Sequence, residues 1–196
     1  MQKLKPLYVQ QVLMEKGLRV FSPSDFQRAF SVSLSATQGF LRNHSSDLFL
    51  KVRNGLYVLR SDQPQEEIIA NRLYVPSYIS FEYVLSRHSI IPESAYAVTS
   101  ATTRVTREFI VNGKSFTYSR IKKEAYRGYK TEKVGGSTIL IAEPEKAFAD
   151  YLYFVDLKKK TVNERIDTRK LKKKAVLEYA KLFSRKSLMK LAKGIL

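Results

Sequence analysis

Leu4, Leu7, Val12 and Leu13 fall at helical spacing, and Gly17 stands where a C-terminal glycine cap belongs, so the chain is expected to open with a helix over residues 4–16. Leu18-Arg19-Val20 reads as a short extended link. Ser22-Pro23-Ser24-Asp25 then supplies a hydroxyl cap, a proline in the first turn and an acid three residues after the cap. The second helix that this predicts buries Phe26, Ala29 and Phe30. A third helix is expected over residues 35–44, with Ala36, Phe40 and Leu41 on one face and Ser35, Thr37, Gln38, Arg42 and Asn43 on or near the other. Two strand-like runs, 48–52 and 56–59, follow and are joined through Arg53-Asn54-Gly55. Asn-Gly accepts the positive φ angles of a tight hairpin turn.

Ser61-Asp62-Gln63-Pro64-Gln65 is a polar break, and it predicts a boundary between domains over 1–62 and 63–196. Residues 66–74 carry Ile68, Ile69 and Leu73 as a helix would, and Pro76 interrupts it. Ser80 is placed to cap a helix with Phe81, Val84 and Leu85 on one side, ending near Ile91-Pro92. From 95 to 142 the period is two: 96–99, 108–111, 115–118 and 137–141 read as strands, with Asn112-Gly113 as a second hairpin turn. Glu143-Pro144-Glu145 opens a helix that buries Ala147, Phe148, Tyr151 and Leu152. Residues 157–196 read as two helices joined near Ser184 to Ser187. Leu171, Leu177, Ala180, Leu188, Leu191 and Ile195 would face inward, with Lys170, Lys172, Lys173, Lys174, Lys181 and Lys190 mostly outward. The expected fold class is α+β: an N-terminal winged helix-turn-helix (three helices, then a hairpin), followed by a mixed α/β C-terminal domain with a basic helical tail.

The charge is +17 over 196 residues, and its placement changes the picture. Residues 1–60 hold nine Lys/Arg against three acids, a net +6; residues 61–156 hold twelve of each sign; residues 157–196 hold fourteen against three, a net +11. Two basic ends flank a neutral middle. A polyanion is their natural partner, because each phosphate neutralised releases condensed counterions; a solubilising surface is the plainer alternative. The apolar runs, such as Ile139 to Ala142, are too short to span a membrane, and Met-Gln-Lys-Leu-Lys-Pro leads no apolar stretch, so neither a membrane span nor a secretory signal is expected. The lack of cysteine excludes disulfides, thiolate zinc sites and cysteine catalysis, and suits a cytoplasmic protein.

A helix rich in short polar side chains has a shape suited to a major groove about 12 Å wide. Gln38 and Asn43 can pair with adenine edges and Arg42 with guanine or phosphate, with Ser35 and Thr37 beside them. Lys51, Arg53 and Asn54 of the hairpin would meet the flanking backbone or minor groove. Arg28, Lys158, Lys159, Lys160, Lys172, Lys173 and Lys174 are candidate phosphate or partner contacts. Winged helices also dock proteins, so a protein-interaction module is the alternative. Gly39 costs roughly 1 kcal/mol against alanine in a helix; it either permits close approach of another backbone or marks a shorter helix. The tail is read equally as a solvated lysine face on core helices. A basic amphipathic helix can also lie on a membrane, but no lipidation site accompanies this one, and no membrane partner is expected.

The stretch Tyr78-Ile79-Ser80-Phe81-Glu82-Tyr83-Val84-Leu85-Ser86-Arg87-His88, followed by Ile91-Pro92-Glu93, resembles a signature of the AbiEi family, the antitoxins of type IV toxin–antitoxin systems. The same order continues through Thr99-Ser100, Thr102-Thr103, Thr106-Arg107-Glu108-Phe109, Tyr118-Ser119-Arg120-Ile121 and Gly128-Tyr129 to Ala142-Glu143-Pro144-Glu145-Lys146-Ala147-Phe148-Ala149-Asp150. The likeness runs from about Tyr78 to Tyr153, behind a winged helix where the family places its own. The resemblance implies a phage-defence regulator that represses its operon through repeats in double-stranded promoter DNA and counters a toxin of the nucleotidyltransferase fold. Such a protein would be monomeric in solution and pair on DNA.

No enzyme, cofactor or metal is expected. His44 and His88, the only histidines, lack a helical partner of the metal-binding kind, and His88 is better placed for a packing or capping role at a helix end. No nucleophile-elbow or phosphate-cradling glycine loop occurs; Gly135-Gly136 sits in a turn without the P-loop lysine. The enzymatic rival is a metal-dependent nuclease, whose acid-x-Lys triplet has one match, Asp156-Leu157-Lys158, at the end of a predicted helix instead of on a strand; Asp150 is its other candidate carboxylate.

Overall fold

The computed structural model describes residues 4–196. The fold is α+β and comprises two compact units, the first running to Leu73 and taking in Lys133–Thr138, the second formed by Tyr74–Glu132 and Ile139–Leu196. The division falls later than the polar break predicts, because the helix after that break groups with the first unit. Pro64 is buried, as are Ile68, Ala70 and Leu73, and Arg72 reaches Asp25 at 2.6 Å.

The first unit runs α1 (Pro6–Glu15), β1 (Val20–Phe21), α2 (Pro23–Phe30), α3 (Leu34–Asn43), β2 (Phe49–Arg53), β3 (Leu56–Leu59) and α4 (Glu66–Leu73). The expected link around Val20 is a two-residue strand, and it completes an antiparallel sheet of order β1-β3-β2 in which Val20 faces Val58 and Phe49 faces Leu59. The hairpin turns at Gly55, the one residue there with positive φ (+73°), and the pairing register shifts between Lys51 and Arg53. The core gathers Val9, Leu13, Phe21, Phe26, Leu41, Phe49 and Leu59. Its rings touch edge-on or tilted, Phe21 to Phe49 at 5.5 Å and Phe26 to Phe40 at 5.7 Å, contacts worth about 0.5–1.5 kcal/mol each beyond area burial. Leu7 is 79% exposed, contrary to its place in the helical pattern; Val9 and Leu13, one turn apart, are the buried pair of α1.

The second unit contains β4 (Ser77–Ile79), α5 (Phe81–Arg87), β5 (Val98–Thr102), β6 (Arg107–Val111), β7 (Lys114–Arg120), β8 (Tyr129–Val134), β9 (Ser137–Ala142), α6 (Pro144–Asp156), α7 (Lys173–Lys181) and α8 (Lys186–Ile195), the turn of the β8–β9 hairpin excepted. The strands form one mixed sheet of order β6-β7-β5-β4-β9-β8. β4 runs antiparallel to β5 and parallel to β9, and β5 runs parallel to β7. β4 and β8 are strands that the alternation of apolar residues does not reveal, and the strand expected over 96–99 starts at Val98, leaving Tyr96 exposed. α5 ends at Arg87, earlier than expected, and His88 is its C-terminal cap residue. The predicted tail is present as α7 and α8, which pack on α6 and on each other; Val176 and Ala192, more than Leu177 and Leu191, fill the interior.

Every residue from Lys146 to Val155 of α6 is buried, which makes it a helix enclosed on all sides. Two of those residues are ionisable. Lys146 Nζ donates to Asp150 Oδ1 one turn on, and Asp150 Oδ2 accepts from Tyr78 Oη at 2.9 Å and Ser80 Oγ at 2.7 Å. Ser80 therefore does not cap α5 with its side chain, as its sequence position suggests; its hydroxyl is turned to Asp150. Burial drives the Asp150 carboxyl up and the Lys146 amine down, and their mutual attraction opposes both movements. Replacing one member of such a pair leaves an uncompensated charge, at a cost of about 3–5 kcal/mol, whereas replacing both with apolar residues is often neutral. Asp150→Leu and Lys146→Met are each expected to destabilise the protein by that amount in urea unfolding, and the double variant to cost clearly less than the sum. Additive losses would show that the two charges are not coupled.

Candidate nucleic-acid interface

α2 and α3 are joined by Ser31-Val32-Ser33, and the turn is made by Ser31 in the left-handed region (φ +51°). Both helices are capped by serine. Ser22 and Asp25 form the reciprocal box read from the sequence, with the Ser22 N–H donating to Asp25 at 2.8 Å. The Ser33 hydroxyl accepts from the Ala36 N–H, so α3 begins one residue earlier than expected, at Leu34.

At about 100° per residue, Ser35, Gln38, Gly39, Arg42 and Asn43 share one side of α3, with Gly39 near its middle. Ser35, Gln38, Arg42 and Asn43 are exposed, and the side chains of Gln38, Arg42 and Asn43 make no hydrogen bond or ion pair among the described residues. Leu41 and the inner edge of Phe40 anchor the opposite side, Phe40 lying 6.1 Å from Phe49 of the hairpin. Thr37 is a correction to the sequence reading: it is fully buried, its hydroxyl donates to the Ser33 carbonyl at 3.0 Å, and it is not available to a ligand. Leu34, 49% exposed beside Ser35, lies outside the expected helix of 35–44; the Ser33 cap is the signal that places it on α3.

On the hairpin Lys51, Arg53 and Asn54 are all exposed, and Arg53 donates only to the Asn54 carbonyl at 3.2 Å. Arg28 is exposed but engaged by Asp25. In the second unit, Lys160 pairs with Glu82 and lies over the Phe81 ring, and Lys159 lies over Phe154 at 6.0 Å, so neither is a loose cation. Lys158, Lys172, Lys173 and Lys174 are exposed. His44 shares a hydrogen bond with Asp47 at 3.0 Å and packs on Phe40. The nuclease candidates are occupied otherwise: Asp150 is enclosed in its network, and Asp156 ends α6 bonded to Arg185. Among the described residues no three His, Asp or Glu side chains converge as a metal site, and no helix is long and apolar enough to cross a membrane. The chain matches no family model and no curated protein in sequence.

Two properties follow from this geometry. Burial alone would raise the Asp25 carboxyl, but hydrogen bonds from the Ser22 N–H and hydroxyl, with the Arg72 and Arg28 cations, hold it below its ordinary value. A depressed acid stabilises the fold above its unfolded value, near pH 4, and that stabilisation is lost as pH falls through the folded value. Asp25→Asn is therefore expected to cost about 1 kcal/mol at pH 7 in denaturant unfolding, and the difference from wild type should shrink by pH 3. Gly39 is not required by the fold, since a Cβ there meets nothing within 4 Å. Gly39→Ala should stabilise the protein by roughly 0.5–1 kcal/mol; a loss in thermal unfolding would mean that the glycine serves the fold itself.

Proposed function

We propose that the first unit is a winged helix-turn-helix that binds double-stranded DNA, with α3 as the reading helix and the β2–β3 hairpin as its wing. What carries the reading is the side of α3 formed by Ser35, Gln38, Arg42 and Asn43, exposed, polar and with no acid among them, together with Lys51 of the hairpin, exposed and without a partner among the described residues. A helix of this kind reads base edges through its amide and guanidinium groups, while the hairpin holds phosphates. Gly39 in the middle of that side lets the helix axis approach the groove more closely than any larger residue would. On the AbiEi resemblance, the chain acts as a repressor of its own operon and as the antitoxin of a nucleotidyltransferase-like toxin, by a non-enzymatic mechanism in which paired protomers on promoter repeats block polymerase.

Anisotropy titrations against the DNA upstream of its own gene and against random duplex, at two salt concentrations, test this. Gln38→Ala and Arg42→Ala are expected to weaken operator binding by roughly 1–3 kcal/mol and to relax sequence preference, with Lys51→Ala weakening both DNAs alike and lowering the salt slope by about one. Gly39→Ala should weaken operator binding although it stabilises the fold. Equal losses on both DNAs for every variant would remove base reading, and no binding at either salt would leave a protein-docking module.

A further inference from the structure

We propose that a second site, in the cleft beside α7 and α8, binds a short chain of phosphate groups, either free polyphosphate or the phosphate tail of a nucleotide. The cleft has a volume of about 660 Å³ and is lined by Lys181, Arg185, Lys186, Lys190 and Lys193, with Ser184 and Met189 between them. That volume lies in the range of small-molecule sites. Lys186, Lys190 and Lys193 recur at i, i+4 and i+7 and so line one side of α8 over about 10 Å, while Lys181 ends α7 across from them.

The pairing of these cations is what points to a ligand. Arg185 is engaged through its Nε by Asp156, whose side chain is 6% exposed. The four lysines make no ion pair and no side-chain hydrogen bond among the described residues, and no carboxylate lines the cleft. Some lysines of this unit are held by the chain, Lys160 by Glu82, Lys122 by the Phe183 carbonyl and Lys170 by the Ser89 carbonyl; Lys158, Lys172, Lys173 and Lys174 are exposed like those of the cleft but do not line it. Like charges one helical turn apart repel, and a polyanion relieves that repulsion at several points together. Lysine binds phosphate as a point charge with three donors, without the planar fork that selects single carboxylates. The lining carries no aromatic ring and no amide that would hold a base, so recognition rests on the phosphates alone. A lipid surface is a poor occupant, because the apolar side of α8, Leu188 and Ala192, is fully buried in the unit.

This inference is independent of the DNA reading, since its residues lie in the second unit and no α3 residue takes part. The test is calorimetric titration of the full chain with tripolyphosphate, ATP and AMP. Tripolyphosphate and ATP should bind saturably at one equivalent with similar affinity, and AMP far more weakly. Lys186→Gln/Lys190→Gln/Lys193→Gln should weaken tripolyphosphate binding by at least about tenfold, or about 1.4 kcal/mol. Lys123→Gln/Lys130→Gln/Lys133→Gln, an equal charge change at exposed positions outside the cleft, should leave binding within about twofold, a change too small to register as a lost contact. The single variant Lys190→Glu, checked for an unchanged melting temperature, replaces the triple one if the latter unfolds. Equal losses in the two triple variants would overturn the site in favour of diffuse charge. Binding of ATP without tripolyphosphate would overturn it as well, and so would displacement of tripolyphosphate by random duplex together with loss of duplex binding in the cleft variant.

Discussion

The second unit depends on one buried ion pair. Taking a lysine and an aspartate out of water costs several kcal/mol each, and the mutual attraction repays this only if the remaining donors and acceptors are met. Asp150 is fully met, one oxygen by Lys146 and the other by Tyr78 and Ser80. The Lys146 ammonium, beyond its carboxylate, rests over the Phe183 ring at 4.9 Å and the Tyr78 ring at 5.8 Å. These four hydrogen-bonding residues come from β4, from the residue preceding α5 and from α6, so satisfying one carboxylate fixes three segments at once. The condition reaches further through Gly128: a Cβ there would meet the Tyr179 ring at 2.5 Å and Lys146 Cγ at 3.0 Å, and the positive φ of +80° closes that position to other residues. Tyr153 of α6 stacks on Phe183 at 4.3 Å, which seats the α7–α8 junction on the same helix. Phe183 thus links the buried charge to the surface that carries the lysine cleft.

Local chemistry was legible in the sequence wherever a residue type has one strong use. The Ser22–Asp25 box, the glycine turns at Gly55 and Gly113, and the proline-led start of α6 all stand where their residues suggest. Elements without a period were not. β4 is three residues buried on both faces, so it shows no alternation, and β8, reading Tyr-Lys-Thr-Glu-Lys-Val, is an edge strand whose polar side chains suit solvent. Thr37 and Ser35 look alike in composition, yet one hydroxyl turns back to the chain in the core and the other stays at the surface. Lys146 and Asp150 have the i, i+4 spacing of an ordinary surface pair; only the helices packed around α6 make them interior. The stretches that carry the AbiEi resemblance contain all four members of this network, which gives that part of the signature a structural reading.

The fate of individual charges says more than the total of +17. In the neutral middle several cations have carboxylate partners, as Arg87 has Glu132 and Arg72 has Asp25. Among the described residues Arg42 of α3, Lys51 of the hairpin and Lys186, Lys190 and Lys193 of α8 have no carboxylate partner. Exposed unpaired cations contribute little to folding, and most of their interaction energy remains for a partner.

Shape then separates the two unpaired sets. On α3 the exposed polar side has a glycine near its middle, and a Cβ at that glycine would meet nothing within 4 Å. Such a surface is complementary to a groove. The lysines of α8 instead line an open concavity with Lys181, the last residue of α7, where charges of one sign are gathered. A flexible chain of phosphates can settle against several of these lysines at once, whereas a duplex holds its phosphates at a fixed spacing. On the two proposals the surfaces differ in chemistry as well as shape: the amide and guanidinium groups of α3 suit base edges, and the lysines of the cleft suit phosphate alone.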